Sequence, residues 1–199
     1  MPRSGTQELD EARIAEVIAA FAASAVRAER LGFELIELHA AHGYLLHPVP
    51  VAAEQPPHRW LWWLAAEPAC ALLVEVFDAS EALAQVLDAR GCNFLHVSSG
   101  GLDERQKITV GPGYQVPFAA AIKAKVRMPV IAVGMITEPE QAESILRHRH
   151  ADAVALARGI LYDPRWPWHA TAALRDSVEP APQYLRCEPR DARGVFKAR

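Results

Sequence analysis

Short apolar segments alternate along this chain with longer segments of helical spacing, and this alternation restricts the fold more than any other feature. Four segments have the length of a buried strand: FELIEL at 33–38, NFLHVSS at 93–99, PVIAVGMIT at 129–137 and, with its exit loop, ADAVALARGIL at 151–161. They are apolar on both faces, which is typical of strands covered by helices on two sides. The pattern predicts a parallel α/β fold.

The segments before, between and after these strands predict five helices. They are residues 10–31, 73–91, part of 111–127, 138–149 and 163–175. Asp10 is a candidate N-cap, Gly32 and Gly91 end the first two helices, and Thr137 is a candidate cap of the fourth. Four βα units of this kind fit either a small open sheet or part of an eight-stranded barrel, and the pattern alone does not choose between them.

Composition narrows the class of protein. The 199 residues are 51% hydrophobic and 23% charged, which fits one domain spanning 1–199, and the net charge of −3 gives no general attraction to nucleic acid or anionic membranes. No apolar run approaches the roughly 20 residues that cross a bilayer. The three cysteines lack metal-ligand spacing, so we expect a reducing, cytoplasmic location with no metal, no nucleic acid and no membrane as partner.

Two histidines and a tyrosine follow the first predicted strand in the segment HAAHGY. His39 and His42 are three residues apart and could donate hydrogen bonds to one carbonyl or anionic oxygen, while Tyr44 could supply a proton. The same histidines could also bind a metal, or simply pack in a loop or contact water. In the sequence alone, all three interpretations stay open.

A glycine and an arginine follow the last two predicted strands. Gly134 would let a backbone approach a ligand closely, and Arg158 lies where barrels often hold a phosphate. The alternative is a structural glycine and a solvated arginine. The other polar turns, SSGG at 98–101, GPGYQVPF at 111–118 and QYLR at 183–186, are interpreted as structural or solvated segments.

Taken in order, several blocks resemble the Old Yellow Enzyme family, and most closely its xenobiotic-reductase and NADPH-dehydrogenase-like branch. They are GFELIELHAAHGYLLH, NFLHVSSGG, GPGYQVPFAAAIK, PVIAVGMITEPEQAESIL, ADAVALARGILYDPRWPW and QYLR. The resemblance covers most of residues 10–47 and 73–189. It implies part of an eight-stranded (β/α)8 TIM barrel, and an oxidoreductase that uses FMN and NAD(P)H to reduce activated alkenes.

The resemblance also implies roles for individual residues. His39 and His42 would hold the substrate's carbonyl oxygen, and Tyr44 would protonate the alkene carbon opposite to hydride delivery. The FMN phosphate would be held by Gly134, Ala157 and Arg158, although relatives have glycine at the position of Ala157. Arg186 resembles an arginine that this branch lends to a neighbouring subunit, which implies a homo-oligomer.

The chain departs from the family pattern in ways that predict an incomplete barrel. It begins at the helix before the family's fourth strand, and Ser80 leads directly into a helix where the family has a fifth strand with an arginine near the flavin. We therefore expect roughly strands 4 and 6–8 of the barrel, followed by a C-terminal extension over 176–199. Two alternatives remain open: a non-catalytic remnant of a damaged oxidoreductase gene, and a small α/β protein that binds a phosphate ligand.

Three tryptophans mark the strongest departure, Trp60, Trp62 and Trp63, within the aberrant segment 48–72. Where the family has a polar loop containing two adjacent glycines, this chain has PVPVAAEQPPHRWLWWLAAEP. If the reading frame is shifted by one nucleotide, each new codon takes the last two bases of one codon and the first base of the next. The codons that begin within Trp62 and Trp63 then must encode glycine, and the family residue is permitted at every other position. We interpret residues 48 to about 70 as a frameshifted copy of that loop, and we predict irregular packing there.

Overall fold

The computed structural model describes residues 10–41, 71–77, 81–99 and 107–197. In chain order the elements are α1 (Glu11–Arg30), β1 (Leu35–Ala40), β2 (Ala71–Phe77), α2 (Glu81–Ala89), β3 (Phe94–Ser98), α3 (Val116–Lys123), β4 (Val130–Ala132), α4 (Pro139–Arg147), β5 (Ala153–Val154), α5 (Arg158–Tyr162), α6 (Trp166–Ala173) and a 3-10 helix (Pro182–Cys187). The prediction for the tryptophan segment falls outside the described residues.

The five strands form one parallel sheet in the order β1-β2-β3-β4-β5. Every pair of neighbours in the sheet is also a pair of neighbours in the sequence. Parallel strands need a crossover segment between them, and sequential order with right-handed crossovers is the arrangement from which a (β/α)8 barrel is built. The predicted α/β class is confirmed, and the sheet is consistent with part of a barrel.

The prediction of four strands, with helix over 73–91, was wrong. Residues 71–77 form β2, in which Val74 pairs with Leu38 of β1 on one side and Leu95 of β3 on the other. The helix begins only at Glu81. The segment LLVEVF is rich in β-branched and large apolar residues, and as a strand it satisfies the backbone N–H and C=O groups of both neighbours. The sheet therefore contains a strand between β1 and β3, where the sequence had suggested a missing unit.

The helix ends follow local sequence signals with one exception. The carboxylate of Asp10 accepts a hydrogen bond from the N–H of Arg13 at 2.9 Å, and Gly32 ends α1 with a φ of +83°. The predicted Thr137 cap was wrong, because the N-cap of α4 is Glu138 in an extended conformation. Pro139 disfavours helical angles at the residue before it, so α4 starts there.

The hydrophobic core lies between one face of the sheet and helices α2, α3 and α4. Strand alternation places Leu95 and Val97 of β3 beside Val130 and Ala132 of β4, and all four are fully buried on this helix-facing side. Ile122 of α3 is also fully buried. Burying each of the leucine, valine and isoleucine side chains contributes roughly 1.5–3 kcal/mol, so this layer fixes the position of β3 and β4.

Two aspartates from outside the sheet hold the backbone at the start of β4. The Asp88 carboxylate accepts hydrogen bonds from the N–H groups of Arg127 and Met128, at 3.2 and 3.0 Å. Burial raises the pKa of Asp88, but these N–H groups and the Arg127 guanidinium lower it by more, so it lies below its ordinary value. Asp152 likewise accepts from the N–H of Val130 at 2.9 Å and pairs with Lys123.

The chain after α6 packs back onto that helix. The Arg165 guanidinium lies 4.4 Å from the ring centroid of Trp168 and 4.5 Å from that of Tyr184, and Trp168 also makes an edge contact with Phe196. The N–H groups of Gly194 and Phe196 donate to the Glu188 carboxylate. These contacts attach the 3-10 helix and the residues after it to the body of the protein.

Candidate functional site

A cavity of about 750 Å³ opens at the carboxyl ends of β3, β4 and β5. This is the end of a parallel sheet where barrels and open α/β folds bind ligands. Its lining combines apolar side chains with a few polar groups, and consists of His96, Ser98, Ser99, Ile108, Val110, Tyr114, Gln115, residues 133–137 and residues 155–159. Its size suits a cofactor or a small organic substrate.

Gly134 forms part of the cavity wall two residues after the end of β4. Its φ is +114°, and a Cβ added there would lie 3.1 Å from the side chain of Gln115. Its carbonyl accepts a hydrogen bond from the N–H of Gly113 at 2.9 Å. A side chain at this position would therefore strain the backbone and push into the cavity wall, which is the structural reason for a glycine.

Gln115 supports that wall from behind. The residue is buried, and its amide nitrogen donates to the carbonyl of Ser99 at 2.8 Å and lies 2.9 Å from the Tyr114 hydroxyl. It thereby joins the turn before α3 to the exit of β3. The sequence had suggested only a structural turn for this segment; the signal for more was a glutamine between Tyr114 and the apolar start of α3.

Ala157 and Arg158 border the same cavity as Gly134. Ala155 extends the ladder beyond β5 by donating to the carbonyl of Ala132 at 2.8 Å, and α5 begins at Arg158. The Arg158 side chain is exposed, so its charge is available to a ligand. The structure thus brings the three residues predicted to hold a phosphate into one cavity.

The other predicted residues are not brought to this cavity by the described structure. His39 is the penultimate residue of β1 and is exposed, and it is not among the cavity-lining residues. His42 and Tyr44 lie outside the described residues. Arg186 lies in the 3-10 helix and is exposed, away from the cavity lining. The substrate-binding roles of these residues stay predictions.

A histidine that the sequence pattern did not single out, His96, lies on the cavity side of β3. His96 alternates with the fully buried Leu95 and Val97, so its side chain is on the opposite face of the sheet from theirs. Its Nδ1 lies 3.3 Å from a carboxylate oxygen of Glu37 on β1, and its Nε2 is buried. The available signal was a histidine interrupting an apolar strand.

The described residues contain neither a group of metal-binding side chains nor a helix suited to cross a membrane. Within the ranges that the structure describes, no three histidine, cysteine, aspartate or glutamate side chains are grouped closely enough to hold a metal ion. The helices of that same part of the chain include none that is both long and apolar enough to cross a membrane.

Sequence comparison relates the chain to known oxidoreductases. Residues 2–49 and 73–177 match the family described as NADH:flavin oxidoreductase / NADH oxidase. The chain is 34% identical to an NADPH dehydrogenase of Geobacillus sp. over 90% of its own length and 60% of that protein. It is also 34% identical to an NADPH dehydrogenase of Bacillus pumilus, with 87% and 59% covered. The chain thus spans about 60% of the length of these relatives.

Solved structures support the fold. A morphinone reductase variant in complex with tetrahydroNAD superposes with a TM-score of 0.62 at 20% identity, covering 85% of this chain and 53% of that one. The 6-hydroxypseudooxynicotine amine oxidase of Pseudomonas geniculata gives 0.64 at 23% identity, with 84% and 30% covered. At these identities the likeness concerns architecture alone.

Proposed function

Because the chain belongs to the NADH:flavin oxidoreductase / NADH oxidase family, we propose that it binds FMN in the cavity at the ends of β3–β5 and contributes to NAD(P)H-dependent reduction of activated alkenes. The observation that carries the proposal is the convergence of Gly134, Ala157 and Arg158 on one cavity. Glycine there allows close backbone approach, and arginine is suited to a phosphate because its planar fork donates several hydrogen bonds.

The residues of the cavity fit a flavin nucleotide. With a φ of +114° and no side chain, Gly134 lines the cavity with backbone alone, which a ligand can approach closely. Arg158 supplies an exposed positive charge at that exit, and the apolar part of the lining suits an aromatic ring. The bound flavin would supply hydride transfer, which no amino-acid side chain performs.

The chain's own groups would act on the substrate oxygen and on a proton. In this proposal the imidazoles of His39 and His42 donate to the carbonyl oxygen of the alkene substrate and stabilise the negative charge that develops there. The Tyr44 hydroxyl donates the proton that completes the addition. Arg186, in its exposed position on the 3-10 helix, would complete the site of a second copy in a homo-oligomer.

Flavin binding by the full chain is the direct test. The protein should bind FMN in a fluorescence-quenching titration, and Arg158→Leu should weaken FMN binding about tenfold or more, because a hydrogen bond to a charged group contributes roughly 1.5–3 kcal/mol. The same substitution should leave riboflavin affinity nearly unchanged, since riboflavin lacks the phosphate. Arg147→Leu is the matched control, because Arg147 lies on the exposed face of α4 and its ion pair with Glu143 spans 3.9 Å.

Two outcomes would contradict the proposal. A wild-type chain that binds neither FMN nor riboflavin has no flavin site, and binding of inorganic phosphate alone would instead indicate a protein for phosphate ligands without redox chemistry. If FMN binds, oxidation of NADPH in the presence of 2-cyclohexenone should follow, and Tyr44→Phe should slow reoxidation of the reduced flavin by this alkene more than its reduction by NADPH.

A further inference from the structure

One nitrogen atom in the wall of the cavity has an unmet hydrogen-bonding capacity. The Nε2 atom of His96 is buried and has no hydrogen-bond partner within the described part of the chain. Buried polar side-chain atoms are nearly always paired, because an unpaired one has lost its water without gaining a substitute. His96 belongs to the lining of the cavity, so a ligand bound there is in a position to supply the missing partner.

The other ring nitrogen of His96 is held by a carboxylate. Nδ1 lies 3.3 Å from Oε1 of Glu37, which reaches it from β1 across the intervening strand β2. A carboxylate only accepts hydrogen bonds, so Nδ1 carries the proton in this contact. A carboxylate behind an imidazole is a common way to fix its orientation and tautomer toward a ligand on the opposite side. The side chain of Glu37 is about half exposed, whereas that of His96 is mostly buried, so the carboxylate is the more solvent-exposed end of the pair.

The position of His96 complements that of the phosphate residues. It lies on β3, whereas Gly134 follows β4 and Arg158 follows β5. Adjacent strands are about 4.8 Å apart, so β3 and β5 are separated by on the order of 10 Å. One elongated ligand in this cavity would meet a cationic group at one end and an imidazole nitrogen toward the other.

We propose that His96 is a second ligand-binding residue of this cavity, that its Nε2 forms a hydrogen bond to the polar edge of the isoalloxazine ring, and that Glu37 is its positioning residue. This inference rests on the proposed flavin site and deepens it by separating ring recognition from phosphate recognition. The ligand class is a planar heterocycle with carbonyl and N–H groups along one edge, joined to a phosphate.

The test compares FMN and riboflavin as probes of the full chain. His96→Leu should weaken both flavins equally, by about three- to tenfold, the loss expected for one hydrogen bond. It should also shift the visible absorption bands of the bound flavin, since the ring edge loses its partner. His150→Leu is the control, because His150 stacks on His148 on another surface and should change neither affinity nor spectrum. Glu37→Leu should give a smaller loss, and little further loss when added to His96→Leu, because both act through one contact.

Stability of the ligand-free chain separates this role from a structural one. Replacing an unpaired buried nitrogen by an apolar group should leave the urea midpoint of the ligand-free protein unchanged or raised while flavin affinity falls. A lowered midpoint with unchanged flavin affinity and spectrum would overturn the proposal and make His96 a packing residue. If the wild type and His96→Leu bind flavin equally tightly, this inference is refuted but the proposed function is not. If the wild type binds no flavin, the proposed function itself is refuted.

Discussion

Helices α3 and α1 differ sharply in how much of their surface is buried. Helix α3, eight residues long, buries Val116, Ala119 and Ile122 against β3 and β4. Helix α1, twenty residues long, has only Ala25 buried and leaves Ile14 and Val26 partly exposed. Length therefore does not decide how firmly a helix is held. Helix α3 contacts two strands, β3 and β4, and helix α2, whereas α1 reaches the core with the partly buried Phe21.

The described residues can be divided into a packed region, built from β3–β5 with α2–α4, and an edge region, built from α1 and β1, of which only Ala25, Leu38 and Ala40 are buried. The packed region contains the cavity, and the start of its strand β4 is held by Asp88 and Asp152. The edge region carries Glu37 and His39 on exposed parts of β1. A preorganised site needs rigid support, so the phosphate end of the ligand would be held by the firmer of the two regions.

Matched isoleucines give the largest test of this difference. Ile122→Ala in α3 should lower the free energy of unfolding by about 3–4 kcal/mol, because it leaves a cavity in a fully buried site. Ile14→Ala in α1 should cost about 0.5 kcal/mol or less, since Ile14 is 36% exposed and alanine favours the helix. Urea denaturation measures both; equal losses would show that α1 is as firmly packed as α3.

Matched glycines give an intermediate effect and separate stability from binding. Gly134→Ala should cost about 2 kcal/mol, from the strained backbone and the Cβ placed 3.1 Å from Gln115, and it should also weaken FMN binding. Gly32→Ala also has a positive φ but meets no atom within 4 Å, so it should cost about 1 kcal/mol and leave FMN affinity unchanged. Titration and denaturation of both variants check this. Loss of FMN affinity in Gly32→Ala would refute the distinction between the regions.

Matched aspartates give the smallest effect and a pH dependence. Asp88→Ala should cost about 1–2 kcal/mol at pH 7, from two backbone N–H groups left without acceptors. Asp10→Ala should cost about 1 kcal/mol, the value of an N-cap. Since the pKa of Asp88 is lowered in the folded protein, its charge-dependent contribution is complete above the ordinary aspartate value of about 3.9 and is lost as the pH falls through the folded value.

The measurement is the urea midpoint at pH 7 and at pH 3. Asp88→Asn keeps a side-chain oxygen as acceptor but has no charge to lose, so its midpoint should fall less on acidification than that of the wild type. An identical fall in both proteins would mean that Asp88 contributes no pH-dependent stability.

The features that local signals govern could be predicted from the sequence. The Asp10 cap, the end of α1 at Gly32 and the strand around Leu95 were predicted from propensity and spacing alone. The strand β2 was not, because LLVEVF satisfies helical and strand patterns alike, and a partner on each side decides between them. Thr137 failed as a cap because Pro139 restricts the residue before it, so that Glu138 caps the helix.

For the site, the sequence by itself determined the chemical groups and their placement after strands, because strand ends in a parallel sheet share one edge. On that basis it predicted Gly134 and Arg158 as ligand-binding residues, and the family resemblance added Ala157. The tertiary structure alone decided that Glu37 and His96, 59 residues apart, form one pair. A contact from β1 to β3 across β2 depends on the register of both strand pairs rather than on local spacing. Burial of the remaining His96 nitrogen likewise depends on the packing around it, which local sequence does not encode.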